Sequence, residues 1–162
     1  MQYTIMNMKE APLEILEQVV NMKLKPIDVE ECLHMGAKDT REAIGKGLAQ
    51  SSYCKALMDD AGKPQAVYGV VDTPAGYSIP WLLTTSEHKI TKSWLRICKE
   101  QEFPNMCEDR TYFTNVCFKN NTKTKRWLEF LGFHFKYFDE KCVRFMMDVE
   151  AIEPNEEIVN YV

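Results

Sequence analysis

A chain of 162 residues, 45% hydrophobic and 27% charged, is sized for one domain with a real core and is too short for two ordinary ones. It contains no run of about 18 apolar residues to cross a membrane, and its start, MQYTIMNMKEAP, lacks the basic and apolar blocks of a secretion signal, which points to the cytosol. A net charge of −4 leaves no general footprint for nucleic acid, and six cysteines without a C-x-x-C pair beside three scattered histidines speak for free buried thiols rather than a metal centre.

Taken in chain order, QYTIMNMK reads as a first strand. APLEILEQVVNMK follows as a helix, with Pro12 in its first turn and Leu13, Leu16, Val19 and Val20 on one face. PIDVEECLHMG, opened by Pro26 and closed by Gly36, predicts a second helix. DTREAIGKGLAQ predicts a third, where Asp39 and Glu42 resemble a capping box and Gly45 and Gly47 weaken the propensity. From Tyr53 the texture turns to β: a hairpin around Asp60, Ala61 and Gly62, a second turn at DTPAG, and a nearly continuous apolar strand, YSIPWLLTTS. Ile90, Trp94, Ile97 and Cys98 restore helical spacing in a segment expected to fray by Pro104. RTYFTNVCFK is a strand, NTKTKRWLEFLG a helix, and FHFKYF with KCVRFMMDV close the chain as two strands. The class is α/β, with a mixed sheet in the order β-α-α-(α)-β-β-β-α-β-α-β-β, because the strand-helix-strand unit of residues 79–118 demands a parallel crossover. Residues 1–149 form the single domain. Residues 150–162 belong to an acidic tail, DVEAIEPNEEIVNYV, which carries five carboxylates and no Lys or Arg.

Element order and the closing signature resemble the GNAT-type acyl-CoA N-acyltransferase superfamily. In that superfamily the last helix opens on Asn and ends eleven residues later in Gly-Phe, as Asn121 and Gly132-Phe133 do here, with Thr124, Trp127, Leu128 and Leu131 on its buried face. The stretches PWLLTTSEHKITKSWL and YFTNVCFKNNTKTKRWLEFLGFHF are similar to GNAT-like proteins of tailed bacteriophages, among them internal head proteins of short-tailed phages.

The resemblance implies acetyl-CoA in a cleft where the fourth and fifth strands splay, with Leu83, Thr84 and Thr85 beside the pantetheine arm and Ser86, Lys89, Ile90, Thr91 and Lys92 facing the pyrophosphate. Asn121 and Arg126 lie at the next helix start, where the adenosine 3′-phosphate would fall. The sequence departs from the superfamily at SEHKITKS, which replaces a glycine-rich loop, and at Leu128, which stands where many relatives carry a tyrosine acid. Glu31, His34, His88 and Asn115 are the candidates for proton transfer and orientation at an amine acceptor. The expected function is therefore a phage-encoded, acyl-CoA-dependent N-acyltransferase working in the host cytoplasm. The alternative is a catalytically degenerate virion-internal or host-protein-binding module. Nucleic acid held by Lys119, Lys123, Lys125 and Arg126, with Phe113, Trp127 and Phe130 as stacking partners, ranks third.

Overall fold

The computed structural model describes residues 3–88 and 91–149. Its elements run β1 (Thr4–Asn7), α1 (Leu13–Val20), α2 (Pro26–His34), α3 (Thr40–Gln50), β2 (Tyr53–Met58), β3 (Pro64–Asp72), β4 (Ser78–Thr84), α4 (Lys92–Ile97), a π-helical turn (Cys98–Glu102), α5 (Phe103–Cys107), β5 (Tyr112–Phe118), α6 (Thr122–Leu131), β6 (His134–Tyr137) and β7 (Cys142–Asp148). The order of elements is the one the hydrophobic periodicity predicts. The seven strands form one sheet in the order β1-β2-β3-β4-β5-β7-β6, antiparallel except at β4 and β5.

That exception sets the architecture. β3 and β4 stay in register from Ala66–Thr84 to Asp72–Ser78, and β5 and β7 from Tyr112–Asp148 to Phe118–Cys142. β4 and β5 pair only at Ser78–Phe113 and then diverge. Phe113, fully buried at this fork, packs with Phe103 and Phe133 at ring distances of 6.0 and 6.3 Å. One face of the sheet carries a core of Leu57, Ala66, Tyr68, Val70, Trp94 and Leu128. The other packs Ala56, Met58 and Val67 against Val19 and Ile44 of α1 and α3. Two layers of helices thus enclose a sheet with a single interruption.

Three local details differ from the sequence reading. The buried stripe of α1 is Val19 with Ile15, Leu16 and Val20 beside it, while Leu13 at the exposed helix start is 73% accessible. In α3, Gly47 is a packing requirement: a Cβ there would lie 2.7 Å from Trp81 Cζ2, so the ring seats against bare backbone. The helix after β4 does not fray at Pro104. Phe103 N donates to Cys98 O five residues back, and this wider turn places Pro104 in the first turn of α5, where the missing N–H does no harm.

α6 follows its sequence closely. Asn121 Oδ1 accepts from Thr124 N at the start, and at the end Gly132 adopts φ +105° while Phe133 N reaches back to Leu128 O. This is the Schellman closure, which needs the left-handed residue. Gly132→Ala is expected to lower the unfolding free energy by about 1–2 kcal/mol, the cost of the left-handed conformation for a residue with a Cβ. Urea unfolding measures it, and an unchanged midpoint would contradict the assignment.

Candidate functional site

The divergence of β4 and β5 leaves backbone groups without strand partners, and where they go defines the site. Thr85 N bonds to Gln65 O of β3, so alternation turns the backbone groups of Ser78, Pro80, Leu82 and Thr84 towards β5. Pro80 suits this edge because it has no N–H to leave unpaired. Asn115 fills the fork itself: its Nδ2 donates to Pro80 O at 2.9 Å, and its Oδ1 accepts from Val116 N at 2.8 Å.

Further out, α2 lies across the opening with two carboxylates. Asp28 Oδ2 accepts from Thr84 N at 3.1 Å on the β4 side, and Lys25 N donates to Thr84 O at 3.2 Å. Glu31 Oε1 accepts from Phe118 N at 3.4 Å on the β5 side and from Asn121 Nδ2 at 2.6 Å. Positions i and i+3 of one helix face thus reach both diverging strands. Asn121 serves twice, capping α6 and anchoring Glu31.

Burial pushes the carboxyl of Asp28 above its usual range, partly offset by Lys25 and by the Thr84 bonds; burial raises Glu31 as well, against the pull of Asn121 and Phe118 N. A raised folded-state pKa means that the folded protein binds the proton more tightly than the unfolded chain. The corresponding stability is present below the ordinary Asp value of 3.8 and is lost as pH rises through the folded value. Asp28→Asn keeps an acceptor for Thr84 N and removes the buried charge. Its melting temperature, measured against that of the natural chain, is expected to gain as pH rises from the ordinary Asp value of 3.8 through the raised folded value, and then to stay level. A difference that does not vary with pH would show that burial does not govern this carboxyl.

A cavity of about 600 Å³ occupies the opening. Cys32, Gly47, Trp81 and Leu83 line it from the α2–α3 layer, and Tyr68, Trp94, Cys98 and Leu128 from the α4–α6 layer, so it passes through the sheet. Glu31 and Asn115 stand in its wall. Trp81 is fixed there by Nε1 donating to Ser51 Oγ at 2.8 Å.

Of the residues that the sequence marks out, the structure brings Glu31, Asn115 and Leu83 to the cavity. Thr84 and Thr85 are buried next to it; Thr84 has both backbone groups occupied, and Thr85 Oγ1 bonds to Gln65 Oε1. His34 is exposed at the end of α2 with its ring edge on Phe118, and does not line the cavity. His88 is also outside the cavity, against Tyr3, and burial with Lys25 nearby keeps its pKa below the ordinary value. Ser86 N bonds to Lys23 O and His88 N to Thr85 O, so these two amides of the loop before α4 are already committed. Thr91 caps α4 through Trp94 N, and Lys92 is exposed beside it. Lys89 and Ile90 lie outside the described residues, as do residues 150–162. Asn121 is buried as the cap, and Arg126 is exposed away from the cavity. Of the stacking set offered for nucleic acid, Phe113 is fully buried, while Trp127, which also lines the cavity, stacks on Phe130 at 6.0 Å.

Glu102 is a residue that the sequence does not mark. It is 5% accessible at the end of the π-helical turn and lines the cavity, where its Oε1 accepts from Tyr53 and Tyr68 at 2.9 and 2.7 Å, with Lys55 Nζ at 3.7 Å. Its one trace in the sequence is a pair of tyrosines and a lysine on neighbouring strands that would need a common acceptor.

No protein-family model matches the sequence, and no curated protein matches it either. Solved structures do. Spermidine N-acetyltransferase from Vibrio cholerae, in complex with CoA and spermine, superposes with a TM-score of 0.65 at 11% identity, covering 92% of this chain and 96% of the other. The GNAT domain of S. lividans PAT gives 0.65 at 13% identity, covering 90% and 89%. Campylobacter jejuni N-acetyltransferase PseH, in complex with acetyl coenzyme A, gives 0.58 at 17%, covering 91% and 99%. The fold is that of the GNAT N-acetyltransferases. The single interruption of this sheet, between β4 and β5, holds the cavity. Among the described residues, no helix is long and apolar enough to cross a membrane.

Proposed function

We propose that this chain is an acyl-CoA-dependent N-acyltransferase that moves an acetyl group to an amine. The observation that carries the reading is the passage through the sheet with Glu31 in its wall. A thioester entering from the α4–α6 side and an amine entering from the α2–α3 side can meet there without either crossing the core. When bound, acyl-CoA supplies the activated acyl group; everything else falls to the chain. Leu82 turns its N–H and C=O into the gap, and they suit an amide-bearing arm. Glu31, with its pKa raised by burial, suits the role of base for the acceptor ammonium, directly or through one water. Cys32 and Cys117 also line the passage, but burial and the nearby carboxylates push their thiols up to about 11 and about 12. Both stay protonated at neutral pH, which favours direct transfer over an acyl-cysteine intermediate.

The phage origin and a place in the host cytoplasm rest on the resemblance carried by residues 53–149. A second reading, a fold-retaining module that binds a host or virion protein, is supported by one observation: Lys25 and Asp28 already occupy the edge of β4 at Thr84, where a cofactor arm would lie. A transfer assay separates the two. Incubation with acetyl-CoA and a panel of primary amines is expected to release free CoA thiol in proportion to acetylated amine. Release no faster than the uncatalysed background with every amine would favour the binding module.

A further inference from the structure

We propose that His34, Asp139 and Cys142 form a binding site for a divalent transition-metal ion of the zinc type, outside the cavity. Their donor atoms, one nitrogen, one oxygen and one sulfur, lie within 4.8 Å of one another. That convergence is invisible to spacing rules because His34 ends α2 while Asp139 and Cys142 flank the turn from β6 to β7, about a hundred residues away. The set is one that zinc takes: imidazole, carboxylate and thiolate at about 2.0–2.3 Å, with a fourth position left to water or another ligand. Bonds of that length set tetrahedral donors about 3.3–3.8 Å apart, so closure from within 4.8 Å needs a movement of at most about 1–1.5 Å. His34 can supply it, being the exposed member at a helix end.

The carboxylate is already held for the purpose. Asp139 Oδ1 accepts from Lys141 N at 2.9 Å and from Cys142 N at 2.7 Å, which fixes its plane beside the thiol and leaves Oδ2 to bind. The His34 ring lies edge-on to Phe118 at 5.3 Å. Because His34 lies one helical turn beyond Glu31, an ion here would pin the end of α2 to the β6–β7 turn and hold that helix across the opening.

Cobalt(II) is the probe, added to the full chain kept reduced without a chelating thiol. One equivalent is expected to produce a thiolate-to-cobalt charge-transfer band, displaced stoichiometrically by zinc, and zinc alone should raise the melting temperature. Cys142→Ser should abolish the band. Since Cys142 is buried and its variant can fail to fold, His34→Ala, at an exposed position, provides the deciding arm: the band should vanish while the circular dichroism spectrum stays native. No charge-transfer band with the natural chain, or a band of undiminished intensity in folded His34→Ala, would overturn the site.

Discussion

Glu31→Gln is expected to lower kcat/KM for acetyl transfer by about 10²- to 10⁴-fold, the range supplied by a positioned base. The substitution preserves the side-chain shape and an acceptor for Phe118 N and Asn121 Nδ2, so the fold and the entrance survive while the basic oxygen is lost. The pH profile distinguishes this from a binding defect. In the natural chain the rate should rise through the elevated pKa of Glu31 as the carboxyl loses its proton, then level off; in Glu31→Gln that rise should be absent. A variant with reduced rate and an unchanged acidic limb would move the base elsewhere. His34 and His88, the other candidates, stand outside the cavity, so His34→Ala and His88→Ala should leave the same limb in place.

The largest effect on stability belongs to the fork. Phe113 has no accessible surface, sits at the single pairing point of β4 and β5, and packs against both Phe103 and Phe133, which also touch each other. Phe113→Ala removes the ring from a position that both strands and the α4–α6 layer enclose, and is expected to cost about 3–5 kcal/mol. A domain of this size has only about 5–15 kcal/mol in total, so the variant should melt well below the natural chain. Guanidinium unfolding gives the difference. A loss below about 1 kcal/mol would mean that the fork closes without this side chain.

How far the sequence reveals these features depends on the range of the interactions. The nearly continuous apolar run of YSIPWLLTTS, the Asp39 and Asn121 caps and the Gly132 stop are local patterns, and they return as β4, α3 and α6. The end of α4 departs from expectation because Pro104 is a breaker in a four-residue ladder and harmless in a five-residue one; nothing local announces the switch. The carboxylates of α2 are a clearer case. Asp28 bonds a strand 56 residues on and Glu31 one 87 residues on, so PIDVEECLH shows an ordinary polar helix face whose partners are set by tertiary packing alone. Three-residue spacing puts Glu31 and His34 on one side of the helix, yet the structure separates them: Glu31 reaches the cavity, and His34 faces the β6–β7 turn. Glu102 escapes notice because its partners are remote in sequence: the π-helical turn brings it to the hydroxyls of Tyr53 and Tyr68. Phe113, named as a stacking partner in the third-ranked reading, is instead fully buried in β5.

The central claim is that the gap between β4 and β5 admits an acyl-CoA. Isothermal calorimetry with acetyl-CoA tests it most directly, backed by a thermal shift at the same ligand concentrations. One site per chain is expected, with stabilisation that grows as the logarithm of free ligand and gains about 2.7 kcal/mol at a hundredfold excess over Kd. Absence of binding heat and an unmoved melting temperature up to millimolar acetyl-CoA would contradict it.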